Sequence, residues 1–306
     1  MIMKIVEEGT ASAAVTQPSP VRIAAVGSRP LRHRLALVLH NRNLVLGLTI
    51  MAALVLVAVF APVLTPYEPQ AQDYEATLLA PNLQHLFGTD NFGRDIFTRV
   101  IYGAQIDLRV GVIAVIAPFV IGVVLGCIAG YFGGWFDTII MRMVDIVQAF
   151  PFIVIVVAIV SILGPGLQNM YVAVALTAWI VYARLVRGEI LAVKHREYVQ
   201  AAHALGLSDV RIIGRHILPN IITSSVVYAM ADIALYIGLA AALSFLGLGA
   251  KPPEPEWGAM ITEGRAYVTT AWWMSVFPGL AMVATGVGLS LIGDGLADVL
   301  RPGGRR

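Results

Sequence analysis

Charge is what this sequence has least of. Asp, Glu, Lys and Arg make up 13% of its 306 residues, against 58% hydrophobic, where a soluble domain carries about 25% charge. That balance excludes an ordinary soluble domain and marks an integral membrane protein. Cysteine is nearly absent: the single Cys127 sits in an apolar run, can form no internal disulfide, and reads as a packing residue. The six histidines (33, 40, 85, 195, 203, 216) show no metal-ligand spacing with one another or with Cys127. Also missing are G-x-x-x-x-G-K-[ST], G-x-G-x-x-G after a strand, H-E-x-x-H and G-x-S-x-G. No catalytic residue, metal, cofactor or nucleic-acid partner is expected. If ATP drives this protein, another chain hydrolyses it.

Long apolar runs are what is there. Six are expected to span a membrane: 44–64, 110–131, 143–163, 170–186, 221–246 and 272–292. The first has 21 residues without a charge, about 31 Å of helix against a core of about 30 Å. Pro151 falls inside the third. Residues 1–43 hold no run long enough for a signal sequence and read as a flexible tail with a basic juxtamembrane segment. The connection 65–109 contains six acids, and a helix capped by Thr89 or Asp90 is expected there, with Ile96, Val100 and Ile101 on one face. Arg94 and Asp95 read as a solvated or interface pair, and Arg142 with Asp145 as a local i, i+3 pair. Pro252, Pro253 and Pro255 mark a loop. "GLGAKPP" and Trp257 either touch an outer partner or form only a rigid loop.

Sixteen of the 21 Lys and Arg lie in 1–43, 132–143, 184–220 and 301–306, and five in the alternate segments. The bias puts both termini and residues 187–220 in the cytoplasm. That segment contains "EYVQAAHALGLSDVRIIGRHILPN", Glu197 to Asn220. Tyr198, Ala201, Ala202 and Leu205 recur at helical spacing, with Glu197 in the first turn. Gly206 ends that piece in a left-handed conformation. Ser208 caps a second helix with Val210, Ile213 and Ile217 on its apolar stripe, closed by Pro219. More than thirty residues, where a two-residue turn would connect two spans, and the small residues 201, 202 and 204 suggest a surface for close fitting by another protein.

Glu197, Ala201, Ala202 and Gly206 followed by "ILP" resemble the EAA signature of ABC importer permeases. "FGTDNFGRDIFTRVIYGAQ", "AGYFGGWFDTIIMR", "GPGLQNMYVAVAL", "YARLVRGEIL" and "LSFLGLGAKPPEPEWGAMI" are similar to the dipeptide/oligopeptide/nickel branch, C-type permease, over about 34–300. The resemblance implies an all-α membrane protein with six transmembrane helices and the type I ABC importer permease fold. It divides the chain into 1–43, 44–104, a transmembrane type-1 domain 105–298 with coupling segment 187–220, and a basic terminus 299–306. It implies a prokaryotic inner-membrane location, a homologous second permease forming a heterodimer, two cytoplasmic ATPases and an extracytoplasmic solute-binding protein, with lipid around the spans. Glu197, Ala201, Ala202 and Gly206 would then couple to the ATPases. Peptides are the first substrate expected; nickel, glutathione or another small solute are alternatives.

One departure stands out. Before "LSFLGLG" the branch often carries Glu, and here it is Ala240; Asp232 lies two turns earlier. A carboxylate in a span faces protein, water or a partner charge. Asp232 is therefore either an interhelical hydrogen-bond acceptor or a pathway-lining group. A secondary transporter or channel would show matched midplane sites in two halves, and an intramembrane enzyme paired catalytic groups at depth; the sequence has neither.

Overall fold

The computed structural model describes residues 40–300. The expected flexible tail and most of the basic C-terminal segment lie outside the described residues. Within the described residues the architecture is helical, and the one β-type pairing is an isolated bridge, Thr89 to Asp95.

Helix α1 (Arg42–Val59) starts where the Asn41 side chain accepts from the Leu44 amide at 3.0 Å; a short α2 (Ala61–Leu64) follows. The next long helix, α3, runs unbroken from Ile96 to Phe132. At 1.5 Å per residue its 37 residues cover about 55 Å, so it outreaches an apolar core of about 30 Å at both ends. Its N-cap is Asp95, which accepts from Thr98 N and Oγ1, each at 2.7 Å. This corrects the expected cap at Thr89 or Asp90. It also joins the amphipathic stretch and the second span into one helix.

The third span is not continuous. Helix α4 (Gly134–Gln148) and α5 (Phe152–Leu163) meet at 84°. Pro151 lacks an N–H and disfavours helix at Phe150, so the chain turns there. Helices of 15 and 12 residues, about 22 and 18 Å, do not cross alone. Helices α6 (Leu167–Thr177) and α7 (Trp179–Val193) are separated only by Ala178 and form one 27-residue stretch. Then come α8 (Glu197–Ala204), α9 (Asp209–Ile212), a wide π turn (Ile213–Ile217), α10 (Leu218–Phe245), α11 (Trp257–Gly264) and α12 (Trp273–Leu300). Among the described residues five stretches are long and apolar enough to cross a membrane, or six if the bent pair is one span. Pro219 does not close the second short helix, as the sequence suggested. The π turn absorbs it in the first turn of α10, where its missing N–H is tolerated.

Without a hydrophobic force between helices in lipid, small residues decide who packs closely. Gly122, Gly126 and Gly130 on α3 face α7. A Cβ at Gly122 would stand 2.4 Å from Trp179 O, and one at Gly126 2.7 Å from Ala183 O. These glycines let the two backbones touch. Helix α1 lies along α12, and α10 packs between α12 and α3.

Candidate functional site

Residues 187–220 form a structured surface at the basic end of the molecule. Helix α8 ends as a Schellman motif: Gly206 N donates to His203 O at 2.9 Å and Leu207 N to Ala202 O at 3.2 Å. Gly206 has φ +72°, the left-handed conformation expected from its position, with no neighbour within 4 Å of a built Cβ. Ser208 sits at the next N-cap in extended conformation, without a side-chain cap bond.

The helical phase differs from the expected stripe. Val199, Ala202, Ile212 and Ile217 turn inward and pack with Val123 and Cys127 of α3, Val186 and Ile190 of α7, and Ile221 of α10. Leu205 and Val210, expected on the apolar faces, are each 80% exposed. Tyr198 is exposed as well. Glu197 and Ala201 lie open, whereas Ala202 is inside the core. The small Ala202 side chain lets α8 lie against the ends of the spans, and Ala201 leaves the outer face low.

Polar contacts fasten this surface to the spans. Tyr131 Oη, at the last turn of α3, donates to Asp209 Oδ1 at 2.7 Å and lies 3.1 Å from His203 Nε2. Arg187 holds Asp137 through two donors at 2.5 and 2.6 Å, the planar fork suited to a carboxylate. Lys194 Nζ donates to Gly130 O at 3.2 Å. Asp145 pairs with Arg184 at 3.1 Å rather than with Arg142 as expected, because α7 brings Arg184 alongside α4. None of these partners is local in sequence.

Asp232 is 4% exposed and accepts from Tyr182 Oη of α7 at 2.6 Å and from Tyr236 Oη at 3.1 Å. Of the two sequence readings, this geometry is that of an interhelical tie between α7 and α10. Ala240, where the branch often has Glu, is fully buried.

The opposite end is built on buried ions. Arg94 Nε meets Asp90 Oδ2 at 2.5 Å and its Nη2 meets Glu263 Oε2 at 2.7 Å; Arg99 Nη2 reaches the same Glu263 at 3.3 Å. His85 Nδ1 lies 2.9 Å from Asp95 Oδ2. Arg94 and Asp95 are 2% and 4% exposed, which corrects the solvated pair. Two arginines opposite two carboxylates make burial tolerable. Glu256 caps α11, accepting from Gly258 N at 2.8 Å and Ala259 N at 2.7 Å, and from Ser244 Oγ at 2.7 Å. Trp257 is completely buried; its amide donates to Asp107 Oδ2 at 3.1 Å and its indole to Val100 O at 2.9 Å. It anchors the proline-rich loop and offers nothing to an outer partner. Among the described residues no three His, Cys, Asp or Glu side chains cluster as a metal site.

Residues 122–306 match the family model described as "Binding-protein-dependent transport system inner membrane component", and residues 31–81 the "N-terminal TM domain of oligopeptide transport permease C". The dipeptide transport system permease protein DppC of Alkalihalophilus pseudofirmus is 43% identical, over 89% of this chain and 90% of that one. The glutathione transport system permease protein GsiD of Escherichia coli is 47% identical, over 81% and 82%. A chain of the MetNI methionine ABC transporter, in inward-facing conformations, aligns with TM-score 0.53 at 20% identity, covering 67% of this chain and 97% of that one. At that identity the likeness concerns the fold alone. The chain therefore belongs to the family of inner-membrane components of binding-protein-dependent transport systems.

Proposed function

We propose that this chain forms one half of the transmembrane pathway of an ATP-driven importer for peptides, with a second permease as the other half. Segment 187–220 is the surface through which two separate ATPase subunits drive it, and an extracytoplasmic binding protein delivers the solute. One observation carries this reading: α8, locked to three spans by Val199 and Ala202, ends at Leu205, and the adjoining α9 carries Val210, both of them 80% exposed. Aliphatic side chains that open on a soluble-facing end mark a surface meant to be covered. Glu197, Ala201 and Gly206 lie on that open side. Ala202 contributes from beneath, by letting the helix sit low. Family membership supports the importer class, and the names of DppC and GsiD support peptides, glutathione being itself a tripeptide.

The test is reconstitution. Purified permease pair, ATPases and binding protein in proteoliposomes should take up a labelled dipeptide only with ATP and only when all are present. Uptake down a gradient without the ATPases would instead make the protein a secondary transporter or channel. The distribution of Lys and Arg supports a cytoplasmic side for both termini and segment 187–220. In a Cys127→Ala background, an impermeant thiol reagent on intact cells should label Thr269→Cys and spare His203→Cys. The reverse pattern inverts the topology.

A further inference from the structure

A cavity of about 740 Å³ opens at the end opposite segment 187–220, within the range of small-molecule sites. Four stretches far apart in sequence make it: the α3 turns from Tyr102 to Ile113, the Gly-Pro-Gly turn with the start of α6, the loop 250–255, and Pro69 with Gln70. Gly166 N donates to Leu248 O at 3.0 Å and so joins the second stretch to the third. The buried Trp257–Asp107 bond fixes the loop to α3. The walls are therefore held in place before anything enters, which lowers the cost of binding.

The lining is of mixed charge. Arg109, Lys251 and Glu254 all line the cavity, with Gln168 and Tyr171. Among the described residues neither Arg109, Lys251 nor Glu254 forms an ion pair. The contrast with the arginines around the start of α3 is informative: Arg94, just before the helix, and Arg99, in its first turns, are committed to Asp90 and Glu263. Unpaired groups of both signs around one preformed cavity suit a ligand that brings both charges itself.

We propose that this cavity receives a short zwitterionic solute, with its α-carboxylate on Arg109 and Lys251 and its α-ammonium on Glu254, as the solute passes from the binding protein into the spans. Arginine offers a two-donor fork to a carboxylate, and Gln168 can serve a backbone amide. This assignment rests on the peptide-importer reading and deepens it.

The complete importer in proteoliposomes tests it, with labelled alanyl-alanine as probe and binding-protein-stimulated ATP hydrolysis as a readout of docking. Arg109→Gln is expected to lower uptake about tenfold or more, the worth of one charged hydrogen bond, with stimulated hydrolysis unchanged. Glu254→Gln should act alike, and Arg109→Lys should recover part of the loss. These groups are exposed, so assembly is expected to survive, and copurification of all subunits checks it. Unchanged uptake in both Gln variants would overturn the site. Uptake and stimulation falling together would also overturn it, by showing that the cavity is a docking surface for the binding protein. If the unaltered importer takes up no dipeptide, the peptide reading has failed before any variant is made, and the zwitterion assignment falls with it.

Discussion

The two ends of the molecule are held by different chemistry. At the end carrying loop 65–95 and α11, Arg94, Arg99, Asp90 and Glu263 are joined in a buried or half-buried ring, and Trp257 is completely enclosed. At the end carrying segment 187–220, the fastenings are a Schellman turn, a tyrosine and an Arg–Asp fork, while Leu205 and Val210 stand in the open. The ions of the first end find their partners within one chain, although Leu83 in its loop is 97% exposed. On the proposed reading, the second end is the unfinished one, and its open aliphatic groups are covered when an ATPase docks. The tied end and the unfinished end are joined by one 37-residue helix, α3, which carries Pro118 inside it.

That comparison predicts a graded series of effects on stability. The largest belongs to the ion ring. Arg99→Ala leaves Glu263 and Asp90 sharing Arg94 and takes a charge from a fully buried position. Breaking a buried pair from one side costs about 3–5 kcal/mol. The purified variant should melt well below the parent in detergent, and its level in the membrane should fall. A melting temperature unchanged within error would mean that the ring contributes nothing and that both ends are equally loose.

Next is Gly206→Val. The site has open space but φ +72°, so strain alone acts, about 1–2 kcal/mol for a β-branched residue. The span packing does not depend on this turn. Membrane level should hold, ATPase copurification should weaken and uptake should drop. Full ATPase binding by the variant would reduce the segment to a connector.

Tyr131→Phe should cost less, about 0.5–1.5 kcal/mol for its hydrogen bonds to Asp209 and His203. The ring remains stacked near His203 at 6.2 Å. If α3 receives movement from the segment through this residue, solute moved per ATP hydrolysed should fall although hydrolysis continues. An unchanged ratio would assign transmission to the apolar contacts of Val199 and Ala202 instead.

How much of this was legible in the sequence depends on the range of the interaction. The other apolar runs, the left-handed Gly206 and the proline loop are local properties and stand where the sequence placed them, whereas the expected third span is broken. The break at Pro151 was legible too, since proline both removes a donor and restrains its predecessor, yet the apolar run around it masked the bend. The Gly122, Gly126, Gly130 spacing is a visible signal of close helix packing that hydropathy alone does not register. The ion ring was not legible: Arg94 and Glu263 are 169 positions apart, and only the fold shows them as partners. The same holds for Asp145, which a local rule paired with Arg142 and the fold pairs with Arg184. In α8 and α9 the apolar residues occupy both faces, so periodicity could not say which side was the core. That ambiguity is what the proposed docking would require, with one apolar face turned to the chain's own core and the other left for the ATPase.

The smallest effect on the fold is expected from the change that should matter most for docking. Leu205 and Val210 are each 80% exposed, so replacing both with Ser removes little buried area, and the stability of the purified permease should change by less than about 0.5 kcal/mol. In the assembled importer the same atoms would be covered. Burial is worth about 25 cal/mol per Å² of apolar surface, or about 1.5–3 kcal/mol for a whole aliphatic side chain, so the pair should weaken ATPase association by tenfold or more. The expected signature is a permease that melts normally, reaches the membrane at normal levels, and loses its ATPases on purification. Should the double variant melt early instead, these side chains belong to the permease's own core and the unfinished end is finished after all. Should it melt normally and still retain its ATPases and full uptake, docking depends on Glu197, Ala201 and the backbone of the turn, and the two exposed aliphatic groups face lipid headgroups rather than protein.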